Sequence, residues 1–153
     1  MKKFNKKNFY KNLELIKVNY LNDLHVNLLY NFLKKRKFNI SHKNIPTYED
    51  HLEFVKNNPY RKWFLISHEF KIKGSIYILY DNGIGIDIAP SNYYLVDKIL
   101  SLVFLKNNPL RAIPSIRTNN FHINISPDNH ELNSFITKAG GILKQQTFEF
   151  GES

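Results

Sequence analysis

Apolar residues follow two rhythms along this chain, and the places where one gives way to the other mark its elements. Leu13, Leu15 and Ile16–Val18 predict a first strand, LELIKV. Asn22 is placed to cap a helix running to about Lys35, with Leu21, Leu24, Leu28, Phe32 and Leu29, Leu33 as its apolar stripe. The basic cluster Lys34–Lys37 suits its C-terminal end. Thr47 follows Pro46 and precedes Asp50 by three, a capping-box arrangement, and starts a short helix with Tyr48, Leu52 and Val55 inward. Asn57–Pro59 stop it.

Period two then takes over. Trp63–His68 and Ile72–Tyr80 read as strands joined by a turn at His68–Lys73. Asp81–Gly83 contains Asn-Gly, which suits a two-residue hairpin, and Ile84, Ile86 and Ile88 alternate with Gly85 and Asp87 in a third strand of a meander. After a tight connection at Pro90–Asn92, the residues Tyr94, Leu95, Ile99, Leu102, Val103 and Leu105 mark a helix to Lys106. The connection Asn107–Asn119, with Pro109 and Pro114, is long for a domain of this size. Phe121, Ile123 and Ile125 alternate with His122, Asn124 and Ser126 as a further strand. Asp128, with Glu131 three residues on, starts a helix that Gly140–Gly141 end, and ILKQQTFEF, Ile142–Phe150, reads as a last strand. The order is β-α-α-β-β-β-α-β-α-β, a mixed α/β chain without an internal repeat or interdomain linker.

Composition narrows the classes. A chain of 153 residues with 42% hydrophobic and 14% aromatic content is long and apolar enough to bury a core. It reads as a basic tail over residues 1–12 followed by a single domain over 13–153. With no cysteine it has no disulfide, thiol nucleophile or Cys-based zinc site. No apolar run is long enough to span a bilayer, and the basic start MKKFNKKNFYKN lacks the apolar stretch of a signal peptide, so a cytoplasmic location is expected. The formal charge of +9 suits an anionic partner: nucleic acid, a phosphorylated cofactor or a nucleotide-linked substrate. Heavy use of Lys, Asn and Ile accounts for the same charge as compositional drift. The six histidines show no metal spacing, since His42 and His51 are not four apart, and no metal site is expected. There is neither a G-x-S-x-G nor a P-loop.

The stretch Gly83–Ile99, GIGIDIAPSNYYLVDKI, joins a strand to a helix, where unpaired amides and the helix dipole favour an anion. Asp87 stands opposite the isoleucine face of that strand. Its carboxylate can take a proton from an ammonium group, or it is the polar residue that alternation places there anyway. His122 and Asn124 share a face of the later strand; His122 has the pKa range of a base, or is a hydrogen-bonded half-buried histidine. Arg36, His42 and Lys43 form a basic rim suited to a diphosphate, and Tyr60 and Trp63 a stacking surface. A solvated basic helix end and ordinary core aromatics explain these as well, and taken one by one are the stronger reading.

One segment carries a family resemblance: Asn124, Pro127, Asp128 and Asn129, then Lys138, Ala139 and Gly140 before a predicted strand. With the element order, it resembles the GNAT N-acyltransferase superfamily. ISHKNIPTYEDHLEFVKNNPYRKWFLI, followed by Gly74–Ile78, is similar to a subgroup that includes nucleotide-linked amino-sugar N-acetyltransferases. The resemblance covers about Leu13 to Phe150. It implies a mainly antiparallel central sheet with helices on both faces and an acyl-CoA held between two splayed strands, here Ile84–Ala89 and Phe121–Ser126. Pantetheine would pair with the edge of the first strand at Ile86 and Ile88. The pyrophosphate would lie on turn amides at Ser91, Asn92 and Tyr93, with Asn129 nearby. The amine would attack the thioester directly. His51, on the helix that covers substrates, fits an E-x-H-like pattern as Glu49-Asp50-His51. Arg36, His42, Tyr60, Trp63 and Asn124 would then face the acceptor.

Two departures stand out. The family's pyrophosphate loop reads [QR]-x-x-G-x-[GA], whereas residues 89–96 here contain no glycine. Pro90 lacks an N–H, and Tyr93 and Tyr94 are bulky enough to fill the phosphate position. The tyrosine that many members use as general acid falls on Ile136, and the usual hydrophobic residue after the glycine is Gly141. The expected activity is transfer of acetyl from acetyl-CoA to a primary amine, an amino sugar being one candidate, by a monomer or homodimer. The alternatives are a catalytically silent domain of the same fold and a basic nucleic-acid binder, the last without a matching motif.

Overall fold

The computed structural model describes residues 11–37 and 44–151. The first ten residues of the basic tail, together with His42 and Lys43, lie outside the described residues. The frame is an antiparallel meander of β2 (Lys62–His68), β3 (Lys71–Ile78) and β4 (Gly83–Ile88). The first strand, β1 (Leu13–Lys17), pairs antiparallel with β2 from Leu13↔His68 to Lys17↔Phe64. A short β5 (His122–Ile123) lies parallel on β4, giving the order β1-β2-β3-β4-β5.

Turn chemistry sets the meander's register. His68 pairs with Lys71, and the two residues between, Glu69 and Phe70, both have positive φ, 51° and 63°. This is the handedness that a two-residue hairpin on twisted strands requires. The β3–β4 turn is longer than its Asn-Gly predicts. Leu79 N–H donates to the Gly83 carbonyl at 2.8 Å, leaving a three-residue loop with Asn82 at φ 70°. Asn82 is fully buried for a reason the dipeptide does not show. Its amide donates to the carbonyls of Leu110 and Thr118, both at 2.9 Å, and its Oδ1 accepts from Leu110 N–H at 2.7 Å. One side chain thus ties the long connection after residue 106 to the end of the sheet.

Helices cover both faces. On one side α1 (Asp23–Lys35) and α2 (Tyr48–Lys56) pack Val26, Leu29 and Val55 against Trp63 and Leu65. On the other, α3 (Val96–Lys106) and α4 (His130–Lys138) pack Ile99, Val103, Leu132 and Ile136 against alternate isoleucines of the sheet. Asn22 caps α1 by accepting from Leu24 N–H at 3.0 Å, and Thr47 caps α2 by accepting from Asp50 N–H at 3.2 Å. The buried stripe of α1 is Val26 and Leu29, while Leu21 and Leu24 face solvent. Leucines on more than one face of α1 made two stripes compatible with helical spacing, and packing on the sheet selected one.

Four expectations fail at element ends. Residues Pro90–Leu95 form a 3-10 turn, so α3 begins at Val96. The cap of α4 is Asn129, whose Oδ1 accepts from Leu132 N–H at 3.1 Å, not Asp128; two cap-forming residues stood side by side and the entry geometry chose the second. Strand β5 holds only two residues instead of Phe121–Ser126. Ile142–Phe150 forms no strand and is exposed throughout. Gly140, at φ 97°, and the Gly141 N–H bond to the Ile136 carbonyl close α4 as expected. Beyond them the alternating pattern meets no ladder, and a strand needs a partner as well as a pattern.

Candidate active site

The site grows out of the way β4 parts from β5. The Gly83 carbonyl accepts from Leu79 N–H, just past β3, and the Asn82 carbonyl accepts from His122 N–H on the β5 side. Backbone groups alternate along a strand, so those of residues 84, 86 and 88 also point toward β5. Pairing with β5 stops at Ile84↔Ile123. Ile86 and Ile88 therefore present their N–H and C=O groups to an opening where the sheet would otherwise continue. Asn124, Ile125 and Ser126 form its far bank, and the cavity has a volume of about 300 Å³.

Asp87 lies on the face of β4 opposite the isoleucines, and Arg36, just past the end of α1, reaches it. The Arg36 Nη2 and Nε donate to Asp87 Oδ2 at 2.7 and 3.2 Å. The sequence reading gave these residues separate tasks; the fold makes them one ion pair at the cavity wall, its carboxylate 14% exposed. Among the described residues Asp87 is the one acid lining this cavity, beside Lys35, Arg36, Lys37 and Lys73.

An aromatic cluster stands behind the pair. Tyr77 lies across β4 at Gly85, where an added β-carbon would fall 2.0 Å from its ring. Its ring stacks on Tyr60 at 3.9 Å, and Tyr60 meets Trp63 edge-on at 4.8 Å. Burial raises both phenols above the ordinary tyrosine value; Arg36 opposes that shift and Asp87 reinforces it. The phenols stay protonated, within electrostatic reach of the ion pair. Tyr60 and Trp63 are thus packed on the sheet and do not line the cavity as a stacking surface.

Two of the three proposed proton-transfer residues are elsewhere. His51 is buried between α1 and α2 with its Nε2 3.1 Å from the Val26 carbonyl and its ring beside Tyr30. Burial lowers its pKa, partly offset by that carbonyl. His122 sits at the far end of β4, over Gly83 and 3.9 Å from Asp81 Oδ2, and does not line the cavity. Ser91 is exposed and also outside it. His42 lies outside the described residues.

Ile86, Ile88, Asn92, Tyr93, Asn124 and Asn129 do line the cavity. The Tyr93 ring is buried and packs near Phe135, and its hydroxyl accepts from Asn129 Nδ2 at 2.9 Å. Asn129 also caps α4, so both ends of its side chain are engaged. Tyr94 is exposed, near His68. Within the turn, Pro90 has no N–H and Asn92 N–H already bonds to the Ala89 carbonyl at 2.9 Å, leaving Ser91 as the free donor of these three. Tyr77, Lys35 and Lys73 were missed from sequence. Tyr77 was not findable from the Asn-Gly signal, because its place opposite Gly85 follows from the three-residue turn that the dipeptide does not predict. Among the described residues, no cluster of three His, Cys, Asp or Glu side chains could hold a metal. None of the described helices is long and apolar enough to cross a membrane.

No protein-family model and no curated protein sequence matches this chain. Solved structures do. Campylobacter jejuni N-acetyltransferase PseH superposes with a TM-score of 0.58 at 18% identity, over 89% of this chain and 92% of that one. Its complex with acetyl coenzyme A gives 0.57 at 17% identity, over 88% and 92%. Aminoglycoside N-acetyltransferase AAC(6')-Iy in complex with CoA gives 0.58 at 11% identity, over 92% and 94%. Spermidine N-acetyltransferase SpeG from Vibrio cholerae gives 0.58 at 13% identity, over 88% and 82%. Likeness at such identities speaks to architecture alone, and this chain shares the fold of these N-acetyltransferases.

Proposed function

We propose that the protein is an N-acetyltransferase that takes its acetyl group from acetyl-CoA and delivers it to a primary amine, with amino sugars the first acceptors to test. The observation that carries this reading is the parting of β4 and β5 after Ile84↔Ile123. It leaves the Ile86 and Ile88 backbone as an open edge inside a cavity, and an amide-bearing chain such as pantetheine can add there as a short strand. PseH and AAC(6')-Iy, whose fold this chain shares, were crystallised with acetyl coenzyme A and CoA respectively.

The donor, when bound, supplies an acetyl group activated as a thioester. The chain has to bind the amine, accept the proton it sheds and meet developing negative charge with an N–H. The open β4 edge offers the N–H groups. Asp87, oriented by Arg36 on the cavity wall, is the group suited to the proton, directly or through water. Ile136 is buried in the core and offers no proton to a leaving thiolate.

Calorimetry with acetyl-CoA tests binding, and thiol release across a panel of amines tests transfer. Micromolar binding with amine-dependent release is expected; no heat at high micromolar concentration would falsify the reading. A catalytically silent domain of the same fold is favoured by one observation, the turn Pro90–Asn92 with its single free amide. Binding of CoA without transfer to any amine would select it.

A further inference from the structure

A diphosphate beside Pro90 finds little backbone to hold it, because only Ser91 in Pro90–Asn92 keeps a free N–H. Its charge must then be met by side chains, and β3 is irregular at that place. Ile66 pairs with Gly74 and Ser67 with Ile72, so Lys73 is an extra residue without a partner on β2. A bulge of this kind bends the strand and re-aims a side chain. On its other edge β3 pairs with β4 as far as Gly74↔Ile88, which sets Lys73 one step beyond, level with Ala89 and next to the turn at Pro90. Lys73 lines the cavity there, and Lys35, in the last turn of α1, lines it too. Arg36 is committed to Asp87, whereas neither Lys35 nor Lys73 forms an ion pair among the described residues.

Resting on the acetyl-CoA reading above, we infer that the bulged Lys73, assisted by Lys35, holds the diphosphate of the donor in place of the absent glycine-loop amides. A lysine ammonium serves as a point charge that needs no close approach of the backbone, so bulky residues in the turn do not obstruct it.

The test is CoA affinity by calorimetry for the wild type, Lys73→Ala, Lys73→Arg, Lys35→Ala and Lys56→Ala. Lys56 is exposed at the end of α2, away from the cavity, and controls for net charge. Losing one charge-assisted contact corresponds to about a tenfold to hundredfold weakening. That loss is expected for Lys73→Ala and a smaller one for Lys35→Ala. Lys73→Arg should keep most of the affinity, Lys56→Ala all of it, and the affinity of Lys73→Ala should depend less steeply on salt. CoA binding by Lys73→Ala within about twofold of wild type, or an equal loss in Lys56→Ala, overturns the inference and leaves the acetyl-CoA reading standing. Wild-type protein that binds no CoA overturns both. Matching melting temperatures confirm that each variant is folded.

Discussion

At the scale of single residues, the Arg36–Asp87 pair and His51 separate chemistry from structure. Asp87→Asn keeps the volume and removes the proton acceptor. A general base contributes about 10²–10⁴ in rate, so the turnover of an active acceptor should fall by that order with the affinity for acetyl-CoA little changed. Arg36 is about a third exposed and remains solvated, so the melting temperature should hardly move. Full activity in Asp87→Asn would remove it from the mechanism. His51 should instead report through stability. Its folded pKa is lowered, so below the ordinary histidine value of 6.5 the unfolded chain takes up protons that the folded chain resists. Its contribution is complete above that value and is lost as the pH falls from there through the lower folded value. Urea midpoints at pH 7.5 and 5.5 should differ more in the wild type than in His51→Gln; equal differences would contradict a buried neutral imidazole. Neither role could be read from spacing, because an alternating strand and a helix surface hold polar residues for many reasons.

At the scale of elements, the β3–β4 turn makes the sharpest claim. Asn82 combines positive φ with three short side-chain bonds to the 107–121 connection. Asn82→Ala loses the bonds and adds left-handed strain, which together should cost about 3 kcal/mol or more. Asn82→Gly loses the bonds alone and should recover about 1 kcal/mol of that. Chemical denaturation should rank wild type, glycine, alanine; an alanine variant as stable as the glycine variant would show that strain plays no part. Local signals were legible here where their chemistry is local. Asn22, Thr47 and Gly140 mark helix ends because a cap needs only its own turn. The Asn-Gly pair announced a turn, but its length was set by Leu110 and Thr118, about thirty residues away. The Lys73 bulge belongs to the same class, since an extra residue in one strand shows only against its partner.

At the scale of the whole molecule, the meander and the helix after it were legible because period two gives way cleanly to period 3.6 between Trp63 and Lys106, whereas the placing of helices on both faces came from the family resemblance. The cavity was legible only through family resemblance, since two strands that part after two residue pairs carry the same alternation as two that stay together. The C-terminal segment shows the same limit from the other side. Its pattern is that of a strand, yet residues 142–151 pair with nothing described, with Phe148 and Phe150 at 77% and 95% exposure. A segment that buries almost no apolar surface contributes almost nothing to folding. Ending the chain after Gly141 should therefore leave the unfolding free energy of the core, from urea denaturation, within about 0.5 kcal/mol of the full chain. It should also improve solubility, because exposed phenylalanines favour association. A loss above about 1 kcal/mol would mean that the segment packs in solution. Sedimentation would then decide between its own β5 edge, if the full chain is a monomer, and a second copy, if the full chain is a dimer that truncation dissociates.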